Sequence, residues 1–590
     1  MAYGRSAAFI CRRNAGTASL PRKGDNTMKH WRQAAAGILA AVLCLSLLSG
    51  CGSENEDPGL SLSVCLGGPP VTLDPIRATE AQDMTVLTHL YENLMRIAPD
   101  STGGTAVANG MAKSYDTDEN SDGSVTYTFH LRSAKWSDGK EVTAQDFVYA
   151  WQRLANPASQ APNAQLLSVV KGFDQVQSTG DVSLLEVEAK NDSTFLVTLT
   201  GDCSWFLNDV CTAPATSPLR EDVVQRLKTA ALEANQQALA DGGTATATWC
   251  SDYTKLVTNG PYEVESYNRD SLALRKNARY TGVAGTGPSG ITLRYAETAE
   301  DAWALYQDGT VDFVSPLSRE ALEQAAESET WTAIPELDTY TLLFNTAADP
   351  FSDPAACKAF ALSLDRTVLS GTAGVETWPA TGLVPYGVPE SEDSDFRTAG
   401  GELVSCDPEG YAENCAQAQA LLDEAGYGAG YPFPETECLY VDQGQHRQVV
   451  TAMVSMWSQV LGVRITPKAV TEEELEAALL AGDYVLAAAD IRGYANDAES
   501  FLTSWKSESP KNVVGYRNSA FDTLLTVIAG ANNNTARRGC LHDAESLLLE
   551  DCPLTPLYFT GTDYELRQGL TGVCRDARGF FSFATTVELP

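Results

Sequence analysis

The side chains best suited to chemistry are concentrated in one short stretch of the chain. The segment SVTYTFHLRSAKWSDGKEVTAQDFVYAW, from Ser124 to Trp151, contains a histidine, an arginine, several acids and two tryptophans. A histidine close to carboxylates is the combination that general acid–base catalysis uses. Whether this segment is a reaction centre depends on the elements that hold those side chains.

The same segment has the pattern of a strand, a turn and an amphipathic helix. Apolar residues at every second position of VTYTFHL indicate a half-buried strand. Asp138-Gly139 is a turn dipeptide, and the residues after it have helical periodicity. Local signals that agree in this way are typical of a packed scaffold. We therefore expect His130 and Arg132 to be solvated residues that face outward.

Two segments resemble functional loops without fitting the sites they suggest. GTGPSG, residues 285–290, matches a dinucleotide-binding loop, but an alternating strand follows it where a helix is required. DENSDG, residues 118–123, matches the first half of a calcium loop, but Phe129 occupies the position of the bidentate glutamate. The sequence has no GxSxG, P-loop or HExxH motif and only five histidines. We predict no catalytic residue, no metal site and no cofactor.

The N-terminal region has the pattern of an export signal. From Met28, a short basic head precedes an apolar run, Ala34–Leu48, that is too short for a membrane span. The sequence LSGC that follows resembles a lipobox, the processing site of bacterial lipoproteins. This resemblance implies that residues 1–50 are removed, that Cys51 carries a lipid, and that residues 51–57 form a tether.

The charge of the chain excludes several classes of partner. Residues 1–50 contain seven Lys/Arg and one acid, and the remaining 540 residues have a net charge of −42. Such a chain repels nucleic acid and anionic lipid headgroups. We therefore expect no nucleic-acid partner, and membrane contact through the lipid anchor alone.

The cysteines suggest disulfide bonds outside the cytosol. Eleven cysteines follow Cys51, and none is arranged as a CxxC motif. Three pairs that are close in sequence are plausible bridges, and the connectivity stays open. They are Cys203/Cys211, Cys406/Cys415 and Cys540/Cys552.

Six segments in chain order resemble the extracellular solute-binding proteins of peptide ABC importers. They are VTLDPIRATEAQD, YTFHLRSAKWSDGKEVTAQDFVYAWQRLANP, VTNGPYEVESY, GTVDFV, TYTLLFNTAADPFSDPAACKAFALSLDR and LLDEAGY. The resemblance extends from Val71 to Tyr558. Independently, the residues after LLDEAGY read as helix, strand (VRITPKAV), helix and strand (YVLAAADI), which is typical of an α/β lobe.

The resemblance implies an α/β fold of the two-lobed, type II periplasmic-binding-protein kind, with a hinge and an accessory α+β domain. By this mapping, lobe I comprises residues 58–91, 212–337 and 557–590. The accessory domain comprises residues 92–211, and lobe II comprises residues 338–556. The protein is expected to act as a monomer.

The resemblance also implies a ligand-binding site between the lobes. The residues carried over are Thr79, Glu80, Ala81, His446, Asp490, Ile491, Arg492, Gly493, Tyr494 and Asp497. In the oligopeptide-binding relatives an acid holds the peptide's α-amine at the position where this sequence has Tyr494. Asp490, Asp497 or Glu80 could replace that acid, and Arg492 could pair with a carboxylate.

The implied function is that of a receptor rather than an enzyme. A lipid-anchored substrate-binding protein on the extracytoplasmic face of the membrane would capture peptides and deliver them to an ABC permease with its ATPase subunits. The same fold could instead receive a metal chelate, an oligosaccharide or a signalling peptide. A secreted hydrolase or a cell-surface adhesin is a further alternative, although no nucleophile motif or repeat supports it.

Overall fold

The computed structural model describes most of the chain beyond the N-terminal region. The described residues are 59–99, 105–282, 287–325, 331–391, 394–428, 430–530 and 534–589. The predicted export signal, the lipid attachment site Cys51 and the tether lie outside the described residues.

The described elements are short strands and helices with two long strands among them. The strands are β1 (Ser61–Cys65), β2 (Met95–Pro99), β3 (Thr105–Asn109), β4 (Ala112–Glu119), β5 (Val125–Leu131), β6 (Val187–Asn191), β7 (Thr194–Leu199), β8 (Tyr262–Tyr267), β9 (Ser271–Lys276), β10 (Gly290–Arg294), β11 (Phe313–Val314), β12 (Trp331–Phe344), β13 (Trp378–Pro379), β14 (Pro389–Ser391), β15 (Ser394–Asp395), β16 (Thr436–Val441), β17 (Ile465–Val470), β18 (Leu486–Arg492), β19 (Leu554–Leu566), β20 (Leu570–Thr571), β21 (Cys574–Arg575), β22 (Phe581–Ser582) and β23 (Val587–Glu588).

The helices are α1 (Ala81–Leu90), α2 (Ala144–Ala155), α3 (Phe173–Thr179), α4 (Glu221–Ala240), α5 (Ala299–Gln307), α6 (Arg319–Ala325), α7 (Pro354–Leu362), α8 (Arg366–Ala373), α9 (Phe396–Gly400), α10 (Tyr411–Glu424), α11 (His446–Val460), α12 (Glu472–Ala481), α13 (Glu499–Leu502), α14 (Ser519–Ala529) and α15 (Asn534–Asp551). A five-residue π-helix, Phe206–Val210, follows β7.

One eleven-stranded sheet connects most of these elements. Its order is β17-β16-β18-β12-β19-β11-β1-β10-β9-β8, and β13 pairs with β19 beside this path. We call the strands from β11 to β8 the first half of the sheet and those from β17 to β18 the second half. The strands of β17-β16-β18 are parallel, as are those of β10-β1-β11, so helices return the chain between them.

The two long strands β12 and β19 lie between the halves and pair with each other over most of their length. Their antiparallel register is broken between Pro335 and Thr339 and again between Tyr340 and Thr341. β12 also pairs with β18 of the second half, and β19 also pairs with β11 of the first half. Both predicted lobe boundaries, 337/338 and 556/557, fall within these two strands.

Separate hydrophobic clusters cover the two faces of the second half. Leu342 belongs to the cluster beneath α11, whereas its neighbour Leu343 belongs to the cluster on the opposite face, because side chains alternate along a strand. The first half shares its cluster with a four-stranded antiparallel sheet, β4-β5-β7-β6. We call this sheet and the helices packed on it the small domain.

The second half confirms the helix–strand–helix–strand pattern predicted from the sequence. The predicted strands are β17 and β18, and the stripe through Met453 and Trp457 is the buried side of α11. The Thr471 hydroxyl accepts a hydrogen bond from the Glu474 N–H at 3.2 Å, and the Glu474 carboxylate accepts one from the Thr471 N–H at 3.0 Å. This reciprocal pair is the capping box that starts α12.

The Ser124–Trp151 segment is a scaffold, as predicted, with one correction. Tyr127, Phe129 and Leu131 face the core from β5, whereas the His130 side chain is 44% exposed and bonded to Asp116 at 2.9 Å. The expectation that Arg132 is solvated is wrong. Its side chain is 17% exposed, and its guanidinium pairs with the buried Glu92 carboxylate and donates to the Gly110 carbonyl oxygen at 3.1 Å.

The three suggested disulfide bonds do not form. Each of the eleven cysteines in the described part of the chain is present without a disulfide bridge. Cys406, for example, donates to the Ala380 carbonyl oxygen at 3.5 Å instead of pairing with Cys415.

The structure also bears on metal binding and on membrane spans. Among the described residues, His, Cys, Asp and Glu side chains do not gather in threes to hold a metal ion. None of the described helices has the length and apolar character to cross a bilayer.

The core of the small domain supports a stability prediction. Trp151 is 0% exposed, donates to the Thr216 carbonyl oxygen at 3.0 Å and meets the Phe195 ring edge-on at 5.3 Å. Trp151→Ala should lower the free energy of unfolding by about 3–5 kcal/mol because it leaves a cavity and an unpaired carbonyl. Urea denaturation of the purified chain measures this change.

The matched control is Leu232→Ala on α4, where the side chain is 62% exposed. This substitution should change the free energy of unfolding by less than about 0.5 kcal/mol. Equal effects of the two substitutions would contradict the assignment of Trp151 to the core.

Candidate functional site

A cavity of about 560 Å³ lies beside the two long strands, and we call it the central cavity. Seven segments line it: the strands β2 and β3, the π-helix, the start of β12, residues 387–389 at the start of β14, the loop after β18, the end of β19, and the C-terminal strand β21 with its flanking residues. Its size is within the range of about 300–1,000 Å³ that is usual for small-molecule sites. The cavity therefore joins the small domain, both long strands and the second half of the sheet.

The π-helix positions the side chains of Asn208 and Asp209 at this cavity. Phe206 anchors it, since this ring is 0% exposed and lies 4.8 Å from the Tyr127 ring. The Cys211 N–H donates to the Phe206 carbonyl oxygen at 3.0 Å, the five-residue spacing of a π-turn. The wider turn places Asp209, which is 3% exposed, against the cavity wall.

The loop after β18 approaches the π-helix from the second half of the sheet. The Asn496 N–H donates to Asp209 Oδ1 at 3.1 Å, and Ser204 Oγ donates to Asp497 Oδ2 at 2.9 Å. The rings of Trp205 and Tyr494 meet edge-on at 5.9 Å. These three contacts connect the second half of the sheet to the small domain across the cavity.

Asp497 is held by a buried cation. Arg537 donates to Asp497 Oδ1 at 2.8 Å and to Oδ2 at 2.9 Å, and it also donates to Glu499 at 2.6 Å. A buried bidentate pair of this kind fixes both side chains. A smaller cavity of about 210 Å³, the side cavity, lies next to this pair and shares Asn208 and Asn496 with the central cavity.

The C-terminal segment contributes two further ion pairs to the central cavity. Arg578 donates to both carboxylate oxygens of Asp576, at 2.6 and 2.8 Å. Arg575 pairs with Glu336 at 3.1 Å. Burial lowers the pKa of the Arg575 guanidinium, although Glu336 opposes that effect.

Three of the predicted site residues meet in a different cavity. His446, Asp490 and Arg492 line a space of about 440 Å³, which we call the His446 cavity. Residues of the second half of the sheet and of α12 form its walls. The His446 ring stacks on the Tyr340 ring at 4.2 Å, and its Nε2 lies 3.9 Å from Asp490 Oδ1.

The surroundings of two carboxyl groups beside this cavity, those of Asp490 and Asp338, disfavour their ionised forms. Burial raises the pKa of the Asp490 carboxyl, although His446 and Arg492 lower it. Burial also raises the pKa of Asp338 well above its ordinary value, and the nearby Asp490 adds to this rise. Arg492 Nε donates to Asp338 Oδ2 at 2.9 Å, so its guanidinium is directed to the chain's own carboxylate.

The other predicted residues are spread over neighbouring elements. Thr79 and Glu80 are exposed where α1 begins, and Ala81 is the first residue of that helix. Ile491 pairs with Thr339 in the sheet. Burial raises the pKa of the Tyr494 hydroxyl.

No sequence motif marks Asp209 or Arg575, two of the charged residues that line the central cavity. Asp209 and Arg575 lie in segments that carry no motif, and 366 residues separate them in the chain. An acid inside the apolar run WFLNDV, where a charge is expensive to bury, is the one feature that could have drawn attention to Asp209.

Comparison with known proteins identifies the family. The profile described as "Bacterial extracellular solute-binding proteins, family 5 Middle" matches residues 106–513, more than half of the chain. The chain belongs to the family 5 extracellular solute-binding proteins.

Individual relatives of this family 5 protein cover nearly its whole length. It is 29% identical to the probable deoxycholate-binding periplasmic protein YgiS of Escherichia coli over 83% of this chain and 86% of that protein. It is 28% identical to the periplasmic oligopeptide-binding protein OppA of Salmonella typhimurium over 89% of this chain and 92% of that protein.

Solved structures have the same fold. The murein tripeptide binding protein MppA of Escherichia coli matches with a TM-score of 0.71 at 23% identity, over 90% of this chain and 99% of that chain. OppA of Haemophilus influenzae in complex with the peptide RPPGFSPFR matches with a TM-score of 0.70 at 24% identity, over 90% and 99%. The two-lobed, type II periplasmic-binding-protein fold predicted from the sequence is confirmed, and the family 5 protein is a binding protein rather than an enzyme.

Gly493 supports a prediction about the approach to the site. A Cβ added there would lie 2.6 Å from the Phe501 ring and 2.7 Å from Ser500 Oγ, while the Gly493 N–H donates to the Leu337 carbonyl oxygen at 2.9 Å. Gly493→Ala should lower the free energy of unfolding by about 1–3 kcal/mol because the crowded side chains must shift. Urea denaturation measures this effect.

Gly539 provides the matched control, since it lies in α15 and a Cβ there meets no atom within 4 Å. Gly539→Ala should leave stability unchanged or raise it by up to about 1 kcal/mol, because alanine favours a helix. Destabilisation by both substitutions to the same degree would contradict the crowding at Gly493.

Proposed function

We propose that this protein is the lipid-anchored receptor of an ABC importer, which captures peptides in the cleft around the central cavity and passes them to a membrane permease. In the proposed layout, lobe I is residues 58–91, 212–337 and 557–590, the accessory domain is residues 92–211, and lobe II is residues 338–556. The lobes close on the ligand about the β12–β19 pair, a hinge-type motion.

The observation that carries this proposal is a set of buried polar atoms without partners around the central cavity. Among the described residues, Asp209 Oδ2, Asn496 Oδ1 and Arg575 Nε each lack a hydrogen-bond partner. A buried polar atom is costly unless it is paired. The backbone of a peptide offers an N–H donor and a C=O acceptor at most residues. A bound peptide can therefore pair with the two acceptor oxygens, Asp209 Oδ2 and Asn496 Oδ1, and with the donor Arg575 Nε in the same cavity.

The His446 cavity is proposed as a continuation of the same binding region. Arg492, which lines it, is two residues before Tyr494, whose ring contacts Trp205. Tyr340 lines it with a buried hydroxyl that has no hydrogen-bond partner. We propose that Thr79, Glu80, Ala81, Asp490, Ile491 and Asp497 contribute to the surrounding walls.

A second candidate is a receptor for a non-peptide solute. The relative YgiS is described as deoxycholate-binding, and its identity to this chain, 29%, is similar to the 28% of OppA. The apolar residues Ile97, Val107 and Ile334 in the central cavity would suit an amphipathic ligand of that kind.

Mass spectrometry of ligands that co-purify with the chain lacking residues 1–50 distinguishes the candidates. Thermal shifts against peptide pools, deoxycholate, glycans and nickel chelates provide the second measurement. A ligand at 100 times its dissociation constant should add about 2.7 kcal/mol of stability. Stabilisation by deoxycholate with none from any peptide would defeat the peptide proposal.

Ala106→Trp tests the central cavity as the ligand site. Ala106 is an exposed residue that lines the cavity from β3, so an indole there fills the entrance without disturbing the core. We expect peptide affinity to fall at least ten-fold while the ligand-free melting temperature stays within about 2 °C. Isothermal titration calorimetry and a thermal scan measure the two quantities.

Thr117→Trp on β4 is the control, because Thr117 is exposed on the same small domain and away from the cavity lining. Its peptide affinity should equal that of the unmodified chain. Unchanged affinity in Ala106→Trp would move the ligand out of the central cavity.

A further inference from the structure

Three described charged side chains line the central cavity: Asp209, Arg575 and Asp576. Arg575 and Asp576 each form an ion pair, whereas the Asp209 carboxylate has no direct counter-ion among the described residues. Its Oδ1 accepts the Asn496 N–H at 3.1 Å, and its Oδ2 has no partner in the part of the chain that the structure describes. The residue is 3% exposed, so water does not replace the missing partner. Burial raises the pKa of the Asp209 carboxyl to about 7.

The cations near Asp209 are already directed to other carboxylates. Arg578 uses Nε and Nη2 on Asp576, donates from Nη2 to Thr212 Oγ1 at 2.9 Å, and gives Nη1 to the Asp209 carbonyl oxygen at 2.9 Å. Arg537 is bidentate to Asp497. Neither guanidinium therefore bonds to the Asp209 carboxylate.

The unpaired atoms next to this carboxylate are acceptors. Asp209 Oδ2 and Asn496 Oδ1 are both buried and both lack a donor, and the two residues line the same cavity. A positively charged donor with several N–H groups would satisfy both acceptors and balance the charge of the ionised carboxylate. An ammonium group has three such donors and restores the charge balance.

We propose that Asp209 holds an ammonium group of the ligand and at the same time holds the cleft closed. Oδ1 receives the Asn496 N–H from the opposite wall, and Oδ2 receives the ligand's cation. This inference rests on the proposed capture of peptides, whose ammonium group is either the α-amine or a lysine side chain. Asp209 is in the small domain and Asn496 is in the second half of the sheet, so one carboxylate couples recognition to closure.

The coupling has a defined direction. In the structure described, the Asp209 carboxylate accepts the Asn496 N–H and is buried and under-bonded. A bound ammonium removes that penalty in the conformation in which Asp209 is buried against Asn496. A ligand that favours one of two states in this way shifts the population toward it.

The pH dependence follows from the groups that face Asp209, namely Arg578, Asp576 and Asp497 with its partner Arg537. Burial and the two acids keep the Asp209 carboxyl partly protonated near pH 7, while Arg578 favours its ionised form. A lysine ammonium stays charged up to about pH 10. Affinity for a lysine-containing ligand should therefore rise several-fold between pH 6 and pH 8 as Asp209 ionises.

Three peptides test the inference by titration calorimetry on the chain lacking residues 1–50. They are tetra-alanine with a free amine, N-acetyl-tetra-alanine, and N-acetyl-Ala-Lys-Ala-Ala. We expect at least one of the two ammonium-bearing peptides to bind ten-fold more tightly than N-acetyl-tetra-alanine. The ammonium-bearing peptide with the higher affinity identifies the source of the cation as the α-amine or as the lysine side chain.

Asp209→Asn should reduce that ratio to less than two-fold and remove the pH dependence, because the amide keeps the Oδ1 acceptor but carries no charge. The control is Asp563→Asn, which changes another buried carboxyl with an unpartnered Oδ2 and a pKa raised to about 7, away from the cavity lining. It should leave the ratio unchanged. A ratio that survives in Asp209→Asn, or that is absent in the unmodified chain, would overturn the inference.

Cadaverine separates this inference from the proposed function. If no peptide binds the unmodified chain but cadaverine binds it and fails to bind Asp209→Asn, peptide capture is wrong and the ammonium site stands. If neither peptides nor cadaverine bind the unmodified chain, both proposals fail.

Discussion

The pairing of β12 with β19 is the constraint on which the rest of the molecule depends. Each long strand forms hydrogen bonds with its partner and with one half of the sheet, β12 with β18 and β19 with β11. Neither half can separate from the other without breaking this ladder. The breaks in register near Pro335 and Tyr340 are the places where the ladder can bend, and the central cavity lies directly beside the first of them. The cavity is therefore positioned by the same strands that join the two halves.

Charge around this pair of strands is balanced locally even though the whole chain is strongly acidic. Arg537, Arg575 and Arg578 are each committed to a nearby carboxylate, and the small domain is connected to the second half through Ser204 and Asp497. Buried ion pairs of this kind contribute geometry more than stability, because desolvation offsets much of their attraction. They leave the cavity walls rigid, so an unpaired group such as Asp209 has a fixed position.

The elements were predictable wherever local signals determine them. Alternation along VTYTFHL and VRITPKAV corresponds to β5 and β17, and the Thr471–Glu474 spacing corresponds to a reciprocal capping box. The prediction failed for Arg132. The alternating pattern of β5 indicates the side of the sheet on which a side chain lies, but it does not indicate which other residues pack over that side. Glu92 and Tyr280 cover it, and both come from distant parts of the chain. The disulfide expectations failed for the same reason, since short separation in sequence does not bring two thiols together.

By itself, the sequence determined the class of fold and of function, because periodicity, caps and the order of family segments are local properties repeated along the chain. The family resemblance also supplied His446, Asp490 and Arg492 as candidate site residues, and the structure places all three at one cavity. The position and the lining residues of the central cavity were determined only by the tertiary structure. Its walls come from segments hundreds of residues apart, and whether a carboxylate has a partner depends on which of those segments meet.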